Sequence, residues 1–328
     1  MMPLIAVILG LAVIYGYLNG VHGSASVVAA MISSRAVGPR QALFLAALGF
    51  VIGPFALGVA VASTIGAELV SATETTGVVV VAALLGAILW CVTAWWMKVP
   101  SSISQAMVGG LVGAVWAGFG WQAIRMPGLY KTLLSLFLSP VLGLIIGYLL
   151  VRLTYLLSAS ATPHINQWFK RGQVLVSMLM AVAFGANNGQ IIMGIITLGL
   201  VATGFTRTFS VPTWVVVFTA VTGGLGTLMG GWRLIHTLGG KFYKIRPIHG
   251  FGAELASGLV ILSAAILGGP VSGSQVVTSA IVGAGSADRI QKVRWGVVRQ
   301  IITGWLLTLP FAALVGAVVY IVLARIAL

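Results

Sequence analysis

Serine and glutamine recur in one spacing where little else in the chain is polar. Pro100-Ser101-Ser102-Ile103-Ser104-Gln105 and Pro270-Val271-Ser272-Gly273-Ser274-Gln275 share the pattern Pro-x-Ser-x-Ser-Gln, 170 positions apart. Asn19-Gly20-Val21-His22-Gly23-Ser24-Ala25-Ser26 and Gly185-Ala186-Asn187-Asn188-Gly189-Gln190 form a second pair, with glycines 165 positions apart. Hydroxyls, amides and free backbone N–H groups donate hydrogen bonds, and a helix restarting after such a break adds the positive end of its dipole. That combination binds anions. The candidate substrate-binding set is Ser24, Ser26, Ser101, Ser102, Ser104, Gln105, Asn187, Asn188, Ser272, Ser274 and Gln275. Any one of these serines is more often a helix cap or a back-bonded side chain than a ligand; their repetition favours a site.

Three further residues are candidates for carrying a coupled ion. Asn19 and His22 belong to the first glycine stretch, and a histidine inside such a polar break can carry a proton. Glu254 is one of only four acids, with Glu68, Glu74 and Asp288. A carboxylate within a membrane is costly and functional by default; the alternative is an interfacial pairing with Arg246 or Lys244. Asp288, among Arg289, Lys292 and Arg294, reads as a solvated loop acid.

These residues sit in a membrane protein. The 328 residues are 59% hydrophobic and 7% charged, where a soluble domain carries about 25% charge. Mean hydropathy is +1.10. The apolar runs are continuous and not alternating, which selects helices over a β-barrel. Residues 1–13 lack a basic leader region and read as the start of the first membrane helix. The net charge of +14 fits loop lysines and arginines on one side of a bilayer. No motif or aromatic-lined basic groove points to nucleic acid. One cysteine, Cys91, excludes an internal disulfide and a cysteine metal site. The sequence has no His-Glu-x-x-His, no Gly-x-Ser-x-Gly and no P-loop, so an enzyme is not expected.

The expected fold is an all-α polytopic membrane protein built as an inverted-topology repeat, with discontinuous helices and Pro/Ser-broken hairpins. Residues 1–151 form the first repeat, 152–173 a cytoplasmic linker and 174–328 the second repeat. Five segments per half are expected near 3–34, 41–62, 78–97, 99–120 and 131–151, then 174–202, 212–232, 250–268, 270–286 and 300–324. The glycine stretches should interrupt their helices, since about 20 residues suffice to cross a bilayer. Inversion follows from loop charge: residues 61–77 hold Glu68 and Glu74 and no base, whereas 233–247 hold Arg233, Lys241, Lys244 and Arg246 and no acid. With both termini outside, 14 of the 18 basic residues face inward, leaving Arg125, Lys131, Arg207 and Arg325 outside.

At these residues the chain resembles the inorganic phosphate transporter (PiT) family. The likeness includes Asn19-Gly20-Val21-His22, Ser34-Arg35-Ala36-Val37, Pro100-Ser101-Ser102, Gly185-Ala186-Asn187, Met193-Gly194-Ile195-Ile196-Thr197, Gly231-Trp232-Arg233, Gly250-Phe251-Gly252-Ala253-Glu254 and Pro270-Val271-Ser272. It implies an inverted-repeat carrier of phosphate in a prokaryotic plasma membrane, coupled to Na+ or H+, and a homodimer is compatible with it. The chain departs from the family where it matters chemically. The family's usual Asp after the histidine is Gly23, its usual Asn is Ser26, its Asn-Asp is Asn187-Asn188, and the histidines closing the serine motifs are Gln105 and Gln275. Phosphate keeps a proton at neutral pH and gains from an acceptor for it; sulfate has none and suits a site of pure donors. Phosphate is therefore implied by the family and sulfate by the loss of the carboxylates. A passive anion channel and an anion-binding regulatory paralogue are the alternatives to a carrier.

Overall fold

A computed structural model describes residues 2–71, 75–97, 101–160, 162, 164–231 and 245–327. Within them lie eleven α-helices: α1 (Met2–Ser33), α2 (Pro39–Ala56), the short α3 (Ala60–Ser63), α4 (Gly77–Trp96), α5 (Ile103–Phe119), α6 (Met126–Leu157), α7 (Ile165–Ala202), α8 (Thr213–Met229), α9 (Pro247–Leu267), α10 (Gly273–Asp288) and α11 (Trp295–Ala327). Seven of them, α1, α2, α4, α6, α7, α9 and α11, are long and apolar enough to cross a membrane. The chain is an integral membrane protein of helical type.

The Pro/Ser segments do break the chain. They separate α4 from α5 and α9 from α10, giving two helical hairpins. The glycine stretches do not. α1 and α7 run unbroken through Asn19–Ser26 and Gly185–Gln190, so of four expected restarts only those of α5 and α10 exist. The reason is packing. A glycine inside a helix costs about 1 kcal/mol, but it lets another backbone come close. A Cβ on Gly20 would stand 2.2 Å from the Gly223 carbonyl oxygen of α8. One of the two serine hydroxyls of this stretch bonds back into the helix, Ser24 Oγ donating to the Val21 carbonyl at 2.7 Å. Excess length needs no break either, since a helix longer than the bilayer tilts. The polar stretch 152–173 is also mostly helix, because α6 runs to Leu157 and α7 begins at Ile165.

Packing sorts the helix ends onto two faces. Gly77, at the start of α4, packs on Leu4 of α1 and Thr203 beyond α7. The end of α5 and the start of α6 belong to the same side. There Ile124 bridges to Val70, and Gly118 packs on Tyr320 near the end of α11. Both chain ends therefore share this terminal face, together with Arg125, Lys131, Arg207 and Arg325. On the opposite face Ser34 meets Gln173 at the start of α7, Gly250 at the start of α9 packs on Gln173, and Tyr155 of α6 meets His249. The α4–α5 hairpin thus starts and returns at the terminal face, and the α9–α10 hairpin at the opposite face. Arg35, Arg152 and Lys170 stand at that opposite face. Lys98, Glu74, Arg233, Lys241 and Lys244, used in the loop-charge expectation, lie outside the described residues.

The packing partners are reciprocal. α1 packs on α8 and α7 on α2; α5 packs on α11 and α10 on α6. Small residues permit the contacts, as helix pairs in lipid require. A Cβ on Gly113 of α5 would stand 1.9 Å from the Ala313 carbonyl oxygen of α11.

Candidate anion site between the hairpin tips

The two hairpin tips meet. Ser102 caps α5, its Oγ accepting from the Gln105 N–H at 3.2 Å while donating to Ser272 Oγ at 2.7 Å. Ser272 stands at the N-cap of α10 and also lies 3.3 Å from Ser274 Oγ. One turn in, Gln105 Nε2 donates to Gln275 Oε1 at 3.3 Å. Like residues of the two motifs thus touch each other, serine to serine and glutamine to glutamine, each 170 positions apart.

The consequence is electrostatic. Two helix N-termini point at one another from opposite faces, each with partial positive charge and first-turn N–H groups that no helix carbonyl can satisfy. Burial of Ser102, Ser104, Gln105, Ser272 and Gln275 removes the water that would screen them. Gln105 Oε1 and Gln275 Nε2 are buried without a partner. A glutamine amide offers either two donors or one acceptor according to how it is turned. The place is therefore a cluster of donors with one uncommitted acceptor, and an anion between the tips would relieve the opposed dipoles.

α7 holds both tips. Asn187 spans the second, donating from Nδ2 to the Gly269 carbonyl at 3.0 Å and accepting from the Val271 N–H at 3.1 Å. Asn188 holds the first, its Oδ1 accepting from Ser104 Oγ at 3.1 Å while Nδ2 donates to the Phe184 carbonyl at 3.0 Å. Both asparagine side chains are thus engaged by the protein itself. By the helical rise of about 1.5 Å per residue, Asn187 stands about 20 Å from either Gln173 or Thr203, midway between the faces.

On α1, Tyr15 donates to the Ile103 carbonyl at 3.2 Å, which fixes one helix face against the first tip. Asn19, His22 and Ser26 follow on that face at helical spacing. Asn19 Nδ2 and Ser26 Oγ are buried without partners. His22 Nδ1 lies 3.0 Å from the Leu18 carbonyl, so this nitrogen is the protonated one. Ser24 is committed elsewhere, its Oγ accepting from the Gly231 N–H at 2.9 Å. Ser101 is half-buried beside the first tip.

Glu254 is fully buried, yet it is not with the serines. Fourteen residues of α9 and its cap separate it from Gly268, about 20 Å of helix. Its Oε2 accepts from Ser177 Oγ at 2.5 Å, and Oε1 has no partner. Nearby Ser34 Oγ donates to Gln173 Oε1 at 2.7 Å, leaving Gln173 Nε2 unpartnered. Of the two interfacial partners expected for it, Arg246 makes no ion pair with Glu254, its backbone N–H instead donating to His249 Nδ1 at 3.3 Å, and Lys244 lies outside the described residues. Ser34, Gln173 and Ser177 were not distinguishable in sequence, being single polar residues at helix ends. Among the described residues no group of three His, Cys, Asp or Glu could hold a metal ion.

Comparison with known proteins places this geometry. A sequence model of the phosphate transporter family matches residues 19–316. A probable low-affinity inorganic phosphate transporter of Rhizobium meliloti is 38% identical over 97% of this chain and 96% of its own. Its counterpart in Bacillus subtilis is 36% identical over 95% of each. A solved structure, the sodium-dependent phosphate transporter, shares the fold with a TM-score of 0.88 and 22% identity, over 99% of this chain and all of that one.

Proposed function

The chain belongs to the phosphate transporter family, and on that premise we propose that it is a secondary carrier of an inorganic tetrahedral oxyanion, coupled to Na+ or H+ and working by alternating access. That family is one of transporters, not enzymes. The observation that carries the reading is the head-on meeting of α5 and α10 through Ser102 and Ser272, with Gln105 and Gln275 beneath. A dianion fits between two opposed helix N-termini better than any neutral or cationic cargo.

Phosphate and sulfate divide on a single proton. Asn187 Oδ1 and Asn188 Oδ1 already accept hydrogen bonds, so Gln105 Oε1 is the acceptor left for a phosphate O–H. One acceptor matches the one proton of HPO4(2−). If both glutamines turn over, their contact is kept and the free acceptor passes to Gln275 Oε1; sulfate, with no proton to give, would leave that acceptor unused. Relatives named as inorganic phosphate transporters favour phosphate.

Residues 1–151 and 174–328 act as two inverted repeats in this reading. Reciprocal packing, hairpins from opposite faces and prolines at nearly equivalent places in α6 and α11 (Pro140 and Pro310) support it. The terminal face is the outer one, by loop charge. Glu254, half a membrane from the tips, is placed to hold a coupled cation or proton, with His22 and Asn19 closer to the anion. A homodimer in a prokaryotic plasma membrane completes the proposal.

The test is competitive uptake into proteoliposomes of labelled phosphate and sulfate, with and without gradients of Na+ and pH. Accumulation of one anion resistant to the other names the substrate. Uptake that only equilibrates moves the protein from carrier to channel, and binding without flux makes it a regulatory paralogue.

A further inference from the structure

α6 carries polar residues that the site between the tips does not use. Thr132 and Ser139 are 0% and 4% exposed, and neither hydroxyl has a partner. That is unusual for a membrane helix, where a serine or threonine normally bonds back to the preceding turn. Ser135, between them, does so, donating to the Lys131 carbonyl at 2.8 Å. Lys131 itself is 36% exposed and paired at 3.0 Å with Glu68, which is 45% exposed.

These residues run alongside the second hairpin. Gly143 of α6 packs on Val276 of α10, and Gly147 on Ala280. The two helices are parallel, so one turn earlier the same register sets Ser139 level with Ser272. One turn further, Gly269 packs on Ser135, and the Lys131 ammonium lies 3.0 Å from where a Cβ of Gly268 would stand. The series therefore starts at an exposed cation on the terminal face and ends at the depth of the serine pair.

The fold does not require it. Gly147 packs on the Ala280 carbonyl as Gly316 does on that of Gly110, which fixes the equivalence of the two helices. By that equivalence Lys131, Thr132, Ser135 and Ser139 correspond to Gln300, Ile301, Gly304 and Thr308. Thr308 bonds back to the Gly304 carbonyl at 2.8 Å, so the second half has neither the lysine nor an unpartnered hydroxyl at these places.

We propose that Lys131, Thr132, Ser135 and Ser139 line the way by which an oxyanion reaches the hairpin tips from the terminal face, Lys131 being the residue that captures it. This rests on the oxyanion-carrier reading above. An exposed ion pair is worth little in water, so Lys131 exchanges Glu68 for an incoming anion at little cost. Unpartnered hydroxyls then offer successive donors down to Ser272. Along α11 no lysine and no unpartnered hydroxyl stand at the equivalent places, Gln300, Ile301, Gly304 and Thr308.

The experiment uses the full chain with Cys91→Ala, reconstituted in vesicles. Single cysteines are placed at Ser139, at Ser135 and at Thr308. Small membrane-impermeant methanethiosulfonates, one anionic and one cationic, are added on the side where Gln122→Cys reacts. Ser139→Cys is expected to react from that side, with phosphate or sulfate slowing the reaction. Thr308→Cys is expected to stay unreactive from the other side. Lys131→Gln should lower the anionic-to-cationic rate ratio by about tenfold, the low end of electrostatic steering. Ser135→Cys serves if Ser139→Cys fails to fold. A variant that takes up oxyanion yet is unreactive at both positions overturns the proposal, and so does a rate ratio indifferent to Lys131. Lys131-dependent reaction that neither phosphate nor sulfate slows sustains an anion route and overturns the carrier reading beneath it.

Discussion

Gly23 and Gly273 admit the Phe184 ring between α1 and α10. A Cβ on Gly23 would stand 2.6 Å from one ring edge, and a Cβ on Gly273 2.3 Å from the other. The ring is therefore gripped on both sides and has no room to retreat. Gly23→Ala should destabilise the protein by about 1–3 kcal/mol, the range for overpacking. Phe184→Ala should relieve it, so that the double variant is less destabilised than the sum of the singles; thermal unfolding in detergent reads the difference. The same geometry governs what can replace Gly23. The family's usual aspartate there would collide with Phe184. Gly23→Asp with Asn188→Asp is thus expected to shift uptake toward phosphate only when Phe184→Ala accompanies them, and a shift without it would show that the ring moves. At Glu254, Glu254→Gln keeps an acceptor for Ser177 and should fold normally. If the carboxylate carries the coupled charge, that variant equilibrates its anion and no longer accumulates it. Accumulation equal to that of the parent would remove Glu254 from coupling.

Each hairpin tip is made by a short segment that cannot continue a helix, and this is why it was legible in sequence. Proline lacks the N–H that a helix interior needs, and a serine two residues later is a ready N-cap. The glycine stretches were misleading because glycine serves two opposite purposes. It breaks a helix in water, but between packed helices it lets backbones approach, as Gly20 does against α8. Only the partner decides, and the partner is some 200 positions away in sequence. The same limit hid the roles of Asn187 and Asn188. Their types announced hydrogen bonding, but not that Asn187 would span Gly269 and Val271. The serine pair offers a direct check. Ser102→Ala removes both the cap of α5 and the contact to Ser272, a loss of about 1–2 kcal/mol. Because Ser272 shares that contact, adding Ser272→Ala should cost less than it does alone. Ser104→Ala leaves the cap intact and frees Asn188 Oδ1. It should weaken anion affinity and cost about 1–3 kcal/mol of stability through the buried oxygen left unsatisfied, and unchanged affinity would place the anion away from α5.

At the scale of the whole molecule, reciprocity is the organising fact. α1 with α8 answers α7 with α2, and α5 with α11 answers α10 with α6. Each half thus completes its packing on the other: one buried core draws mostly on the first half and the other mostly on the second, and each takes in residues of both. The proposed anion site lies where the exchange is symmetric, at Ser102 with Ser272 and Gln105 with Gln275. The candidate coupling acid lies where symmetry fails: the residue of α4 equivalent to Glu254 is Leu84, buried and apolar. A carrier of this design can load an anion equally from two directions while its coupled ion meets only one half. The orientation of that asymmetry follows from charge. Arg125, Lys131, Arg207 and Arg325 stand at the terminal face, and the opposite face gathers many more bases, including Arg35, Arg40, Arg152, Lys170 and Arg171. Basic residues stay cytoplasmic, so the terminal face should be external and Glu254 should open toward the cytoplasm. Cysteines at exposed Gln122, after α5, and at exposed Gln167, at the start of α7, test this in intact cells carrying Cys91→Ala. An impermeant maleimide should label Gln122→Cys without lysis and Gln167→Cys only after it. The reverse pattern would turn the carrier over, placing Glu254 and its coupled ion outside and the Lys131 route inside. Labelling of both positions from one side would contradict the two-faced packing itself.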